Sequence, residues 1–433
     1  MLLSCPAPHA AYTLRSRVQR ARHRAACSTR RGTSAELQAP PSAPTFRDAD
    51  LIYKNWLALP IQPGRVRRTV RRGAGPGVWL FEQSQGVLDV LVNTRMVVVQ
   101  LQDGSLFVHA PIAPTPECVA LVRELKSPVR YIVLPTSAVE HKVFLGPFAK
   151  CFPEAEVYAA PGQWSFPLNL PLSFLGLFPR RLHGTLGDES RLRDGRPAPW
   201  AAEVEHALLE IPLGLGPFVE VVFYFKNRRT LLVTDTVIAV GEEPPEVCAQ
   251  DPRALLVRSK DTKEALPTDS VEARRRGWGK TVLFALFFQP AAVAFSPLAG
   301  FTWSEEWRQS FARLMAPVLM VPPILQALVL NKRPRVVRAW SRRVARWPFD
   351  RIIPAHLSAP IAAGPRQFEA AFSFLDESQA QPQGLAALLA ALRTPAVARD
   401  AVSPFGDADM KTIRSIDNLL AKSGVIRGEA DAV

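Results

Sequence analysis

Residues 96–110, MVVVQLQDGSLFVHA, set the frame for the whole chain. Met96 to Leu101 reads as a strand, Asp103-Gly104 as a hairpin turn, and Ser105 to Ala110 as the partner strand. The next segment changes period. Thr115 is a cap candidate, Pro116 suits the first helical position, Glu117 suits the first turn, and Val119, Val122 and Leu125 recur at helical spacing, so a helix is predicted from Thr115 to Lys126. Tyr131 to Leu134 and Glu156 to Ala160 follow as short buried strands. Glu220 to Lys226 and Thr230 to Thr234 flank Asn227-Arg228-Arg229 as a second hairpin. Strands alternating with helix-length segments place the chain in the α/β class.

With 433 residues, 48% hydrophobic and 21% charged, the chain can bury one large core or two modest ones, which excludes a disordered protein. Its 40 prolines scatter through apolar segments, and no period indicates a repeat architecture. Five cysteines, Cys5, Cys27, Cys118, Cys151 and Cys248, are too few and too widely spaced for a disulfide framework or a zinc knuckle. The last three lie in apolar contexts and are expected to pack as small buried hydrophobes.

The net charge of +14 is unevenly placed. Residues 1–45 carry seven arginines and one acid, Glu36, a net of +6 in a leader rich in Ser and Ala and acid-free for its first 35 residues. That is the composition of an organelle transit peptide, so a plastid is expected, with the mitochondrion as the alternative and a disordered basic tail as the plain reading. A Pro-rich connector, Ala39 to Pro44, follows. Lys332 to Arg351 reads as a basic amphipathic helix with Val336, Val337, Trp340, Val344 and Trp347 on one face. Packing on the core explains that stripe; contact with an anionic membrane surface is the sharper alternative. No nucleic-acid module is present in the sequence, and no nucleic-acid partner is expected.

Two uncharged runs stand out, Thr281 to Trp303 and Leu314 to Asn331. Each approaches bilayer length, yet prolines interrupt both and Glu305, Glu306 and Arg308 separate them, so buried helices compete with an interfacial or spanning hairpin. An anionic membrane surface met through residues 281–351 is therefore the partner expectation. Trp164 with Phe166 to Phe178 forms an aromatic, Pro-broken loop, read first as core packing. From Asp376 a Gln-, Ala- and Pro-rich linker leads to a short helix, Ala408 to Leu420.

The blocks RMVVVQLQDGSLFVHAPIAPTPE, PVRYIVLPTSAVEHKVFLGPFAKCFPEAEVYAAPGQWSF, TLLVTDTV, LFALFFQP, VPPILQALVLN and RIIPAHLSAPI resemble the plant, algal and cyanobacterial family known as domain of unknown function 4336. The similarity runs from about Trp56 to Leu375. It implies a distant relative of the metallo-β-lactamase hydrolases: an α/β fold, an αββα sandwich, here with an inserted hydrophobic helical module at about 281–331. Domains follow as a transit peptide, 1–45; an N-terminal extension, 46–95; the hydrolase-like domain, 96–375; and a linker with a short C-terminal helix, 376–433.

The resemblance also implies a ligand register. The metallo-hydrolase pattern needs His-x-His-x-Asp-His after a strand, a later His, a bridging Asp at a strand end and a last His. Here Thr136 and Ala138 replace the first two histidines, and Gly214 replaces the intermediate one. Glu140 and His141 stand at the Asp-His pair, Asp235 at the bridging carboxylate and His356 at the last His. The first metal position is thus lost, while the second keeps Glu140, His141, Asp235 and His356, able to hold one Zn, Fe or Mn ion. The competing reading is a degenerate, metal-free domain that binds without catalysing. His109 stands where the fold often has a buttressing Asp. No serine-hydrolase elbow, dinucleotide loop or P-loop appears. The functional expectation divides between a non-catalytic binding descendant and a mononuclear hydrolase of a small ester or thioester.

Overall fold

The structure, a computed structural model, describes residues 46–47, 67–87, 90–163, 182–214, 216–262, 265–297, 300–375 and 405–422. The leader, the Ala39 to Pro44 connector, the Trp164 to Phe178 loop and the linker before residue 405 lie outside them. The first half runs β1 (Val70–Gly73), β2 (Val78–Val87), β3 (Val90–Gln100), β4 (Leu106–His109), α1 (Pro116–Arg123), β5 (Val129–Leu134), α2 (Val139–Lys142), α3 (Leu145–Lys150), β6 (Glu156–Ala159) and β7 (Gly184–Thr185). The second continues β8 (Val204–Ile211), β9 (Phe218–Phe225), β10 (Thr230–Leu232), α4 (Glu246–Ala249), α5 (Arg253–Ser259), α6 (Val271–Phe287), β11 (Val293–Ser296), β12 (Gly300–Trp303), α7 (Trp307–Met315), α8 (Pro323–Leu328), α9 (Pro334–Val344), β13 (Arg351–Ile353), α10 (Pro365–Ala370) and α11 (Asp407–Lys422).

Local chemistry accounts for the elements read from the sequence. Cys118 N donates to the Thr115 hydroxyl at 3.2 Å, the side-chain cap that starts α1. In the β3–β4 turn the Asp103 carboxylate accepts from Ser105 N at 2.9 Å, and Gly104 takes the positive φ of 83° that the turn demands. A short turn over Lys226–Arg228, closed by Arg229 at φ 47°, joins β9 to β10.

Strands β1 to β7 form one sheet in chain order, antiparallel as far as β4 and parallel from β4 to β7. A second sheet has the order β13-β10-β9-β8. Both faces of the first sheet are covered around its centre, so β4, β5 and β6 read as near-continuous apolar runs rather than alternating ones. Val97, Val99, Phe107, Tyr131 and Val133 meet Val219, Val221 and Phe223 of β9 between the sheets. Met96, Val98, Val108, Ile132 and Leu134 pack outward with residues of α1 and α3. Val222, Tyr224 and Leu231 on the far side of the second sheet pack with α9 and α10. The fold is α/β, an αββα sandwich.

The first sheet begins before residue 96: β1, β2 and the first half of β3 precede it, and β2 pairs with β3 from Val78↔Val99 to Val87↔Val90. The polar run Glu82-Gln83-Ser84-Gln85 inside β2 resembles a loop in composition, although Glu82, Gln83 and Gln85 are buried.

The uncharged runs are divided among several elements. Thr281 to Trp303 breaks at the end of α6, where Phe288 adopts φ 59°, and continues as the β11–β12 hairpin. Leu314 to Asn331 is broken around the short α8. Among the described residues no helix is long and apolar enough to cross a membrane. Trp278, Val282, Leu283 and Phe287 of α6 are buried with Trp307 and Phe311 of α7 and with Met410 and Ile413 of α11. Asp409 pins α11 there, accepting from Ala291 N at 2.9 Å and from the Ser310 hydroxyl at 2.7 Å. In α9 the stripe of Val337, Trp340 and Val344 is buried, whereas Val336 is 45% exposed and does not belong to it. Cys118 and Cys248 are buried as expected, and Cys151 is intermediate.

One buried ion pair crosses the edge of the sandwich. The Arg95 guanidinium, fully buried on β3, donates to Glu82 Oε1 from Nε at 2.8 Å and from Nη2 at 2.5 Å. It also donates to the carbonyls of Pro354 and Leu357, beyond β13. Arg95→Met removes the one fully buried cation beside Glu82, leaving the carboxylate with the part-exposed Arg72 at 3.1 Å and the Asn93 amide at 2.9 Å, so urea denaturation is expected to show a loss of about 3 kcal/mol. Adding Glu82→Gln should return at least about 1 kcal/mol by removing the under-compensated charge.

His206 of β8 supplies a pH test. It is fully buried beside Trp200 and Phe223, its Nε2 lies 3.1 Å from the Arg191 carbonyl, and burial lowers its pKa from 6.5 to about 4. A depressed folded pKa contributes stability that is complete above 6.5 and lost as pH falls toward 4. His206→Phe lacks that proton uptake on unfolding. Between pH 6.5 and 5 its stability relative to wild type should rise by about 2 kcal/mol, read from paired denaturation curves.

Candidate metal centre

Parallel pairing brings two distant residues to one edge. Strands β10 and β13 are parallel neighbours ending at the paired residues Leu232 and Ile353. Asp235 and His356 each lie three residues past that pair, so both emerge at the same end of the second sheet. The third segment arrives from the other sheet. Beyond β5 the chain is tied to β9, with Val221 N donating to the Pro135 carbonyl at 2.7 Å and Ser137 N to the Val219 carbonyl at 3.1 Å. That crossing delivers α2, with Glu140 and His141, to the ends of β10 and β13.

All four residues aligned to the second metal position converge. Glu140, His141, Asp235 and His356 each present one ligand atom, and these atoms lie within 4.8 Å of one another. His356 Nε2 is 3.3 Å from Asp235 Oδ1 and 3.2 Å from His141 Nε2; His141 Nε2 is 4.0 Å from Asp235 Oδ2. His141 is fully buried, while the Asp235 and His356 side chains keep 17% and 18% exposure.

Two arrangements hold this geometry. His356 Nδ1 donates to the Asn93 carbonyl at 2.9 Å, which directs Nε2 at the cluster. The Asn93 side chain clamps the next residue, accepting from Leu357 N at 2.8 Å and donating to the Leu357 carbonyl at 3.1 Å. Asp235 is held by Glu220, a buried carboxylate on β9. Glu220 accepts from the backbone N–H of Thr234 at 2.8 Å, of Asp235 at 3.0 Å and of Thr236 at 2.9 Å, and from the Thr236 hydroxyl at 2.8 Å.

The electrostatics divide the cluster. Burial works against the Asp235 carboxylate, but the hydrogen bond and charge of His356 outweigh it and hold its pKa below the ordinary value. His356 is shifted up, burial being overcome by the Asp235 hydrogen bond and by the charges of Asp235 and Glu140. Burial lowers His141 to about 4, so it is neutral near pH 7. Burial and then the Asp235 charge raise Glu140. Glu220 is pushed up to about 7, chiefly by burial and then by Asp235.

Thr136 and Gly214, which the expected register sets at histidine positions, do not join the cluster. The Thr136 hydroxyl accepts from Ala138 N at 3.1 Å and serves the turn into α2, and Gly214 is exposed after β8. His109 is buried, and both its ring nitrogens lack a hydrogen-bond partner among the described residues. Its pKa falls to about 3 through burial and through His141. Asn93 and Glu220 escaped the sequence reading, although each is a polar residue inside an apolar strand, which is a usable signal for a buried anchor.

A family match covers residues 76–374 with the description Domain of unknown function (DUF4336). The chain belongs to this family. No curated protein matches. Among solved structures, this DUF4336 chain is similar to the metal-soaked Flv1 flavodiiron core from Synechocystis sp. PCC6803, with 13% identity, TM-score 0.38, and coverage of 73% of this chain and 62% of that one. It is also similar to a metallo-β-lactamase from Pontibacter korlensis, with 10% identity, TM-score 0.35, and coverage of 71% and 99%. The flavodiiron protein from Giardia intestinalis follows with 10% identity, TM-score 0.37, and coverage of 72% and 60%. The chain thus spans under two thirds of these flavodiiron proteins.

Glu220→Gln replaces one acceptor oxygen with an amide that meets backbone N–H groups. Stability is expected to fall by about 1–3 kcal/mol in urea denaturation, with the turn carrying Asp235 loosened.

Proposed function

We propose that this chain is a mononuclear metal-dependent hydrolase of an ester or thioester, with Glu140, His141, Asp235 and His356 as its ligand set. The observation that carries the reading is the convergence of those four ligand atoms within 4.8 Å. Donors bound at about 2.1 Å to one ion stand roughly 3.4–4.2 Å apart, so small side-chain movements close the set. Two carboxylates and two imidazoles suit Zn, Fe or Mn, and the two carboxylates balance a divalent charge. When bound, such an ion polarises a carbonyl and acidifies water.

The chain's own groups supply the rest. Asn93 keeps the His356 Nδ1 proton engaged and its Nε2 on the cluster, and burial keeps His141 neutral. Glu140 is the carboxyl placed to move a proton, because it lines the cavity and offers the cluster one oxygen, leaving its second oxygen for the proton. In the reaction, the oxygen of water bonds to the acyl carbon and the bond from that carbon to the leaving oxygen or sulfur breaks. Glu140 carries one water proton to the leaving group, giving an acid and an alcohol or thiol.

One contact favours a second reading, a metal-free binding pocket. A protonated His356, at 3.3 Å from Asp235, satisfies that carboxylate without an ion. Elemental mass spectrometry on the purified full chain decides between them. Under the hydrolase reading, wild type and Thr136→Ala carry close to one metal per chain, and Asp235→Ala and His356→Ala lose at least about 90% of it. A folded wild type that stays metal-free after reconstitution overturns the reading.

A further inference from the structure

A cavity of about 490 Å³ opens onto the cluster. Glu140, Asp235, His356 and Gln85 form its polar part. The facing wall comes from the hydrophobic segments that the sequence left unexplained: Ala285 and Leu286 of α6, Pro322, and Ile324 and Leu325 of α8. Ile238 and Phe218 extend the apolar lining. Among the described residues no lysine or arginine lines this space. An anionic ligand would therefore meet two carboxylates whose one cationic neighbour in the cavity, the His356 imidazole, is already engaged by Asp235 at 3.3 Å, and a divalent ion in the cluster would only neutralise those two charges. The volume lies in the range of small-molecule sites and equals on the order of 16 water molecules at about 30 Å³ each.

We propose that this cavity binds a neutral carbonyl compound with an unbranched apolar chain. The carbonyl lies at the Glu140–Asp235–His356 end and the chain runs along Leu286, Ile324 and Leu325. For the hydrolase of the preceding section, on which the catalytic side of this inference rests, the substrate is then a neutral ester or thioester of a medium-length acyl chain. At a similar volume per heavy atom, ligands of on the order of 16 non-hydrogen atoms fill the space.

The test is calorimetric binding to the full chain after chelator treatment, using methyl alkyl ketones of increasing length and the straight-chain carboxylates of matched length. Affinity for the ketones is expected to rise about three- to fourfold per methylene until the cavity is full, and then to level off. Each carboxylate is expected to bind at least tenfold more weakly than the ketone of its length. Ala285→Phe, at a half-buried wall position, should weaken the longest ketones at least tenfold and leave the shortest unchanged. Leu325→Gln should lower affinity across the long ketones about tenfold, an independent probe if the larger side chain prevents folding. Equal affinity across chain lengths, or carboxylates binding as tightly as ketones, overturns the proposal. Because binding is read without metal, the two ideas fail separately: length-dependent binding to a chain that never loads metal removes only the hydrolase reading, and metal loading without length dependence removes only this one.

Discussion

The candidate centre depends on a buried charge pair that meets none of its four side-chain ligand atoms. Arg95 and Glu82 face each other across β2 and β3, and Arg95 also holds the carbonyls of Pro354 and Leu357. A guanidinium with no access to water must spend its donors on protein acceptors, and the loop beyond β13 provides them. Leu357 sits at φ 56°, an uncommon conformation for a side chain of its kind, held by Asn93 on both its N–H and its carbonyl. The imidazole one residue earlier is therefore placed by a network that fixes backbone on both sides of it.

Glu220 applies the same logic to the other loop, gathering three consecutive N–H groups so that the turn carrying Asp235 has one conformation. Each network holds a carboxylate inside the sandwich, Glu82 in one and Glu220 in the other, and both accept from several donors, which makes burying them tolerable. The cluster itself is less settled electrostatically. Asp235 and His356 favour each other's charged forms, while Glu140 and His141 are driven toward neutrality by burial. That imbalance is what a cation would relieve.

The sequence made the apolar strands legible because both faces of the first sheet are covered, so β4, β5 and β6 show unbroken hydrophobic runs. It made the four clustered residues legible through the family register, since spacing alone does not join Glu140 to Asp235 or Asp235 to His356. It hid β2, whose Glu82, Gln83 and Gln85 look like loop residues but are consumed by partners inside the protein; Gln83 donates to the Thr69 hydroxyl at 3.0 Å and to the Ala113 carbonyl at 2.8 Å. It also left the hydrophobic runs ambiguous, because a run of apolar residues looks the same whether lipid or protein covers it. The breaks at Phe288 and around α8 only acquire meaning once α7 and α11 are seen packed against α6.

The cavity's two sides have different origins in the chain. Its polar end is built from strand termini of the sandwich, fixed by buried ion pairs and backbone ties, whereas its apolar wall belongs to α6, α8 and Pro322. Substitutions among Ala285, Leu286, Ile324 and Leu325 alter volume without altering a hydrogen bond of either anchor. Under the proposed reading, a change in that wall would reshape what the cavity admits while the polar end stays constant.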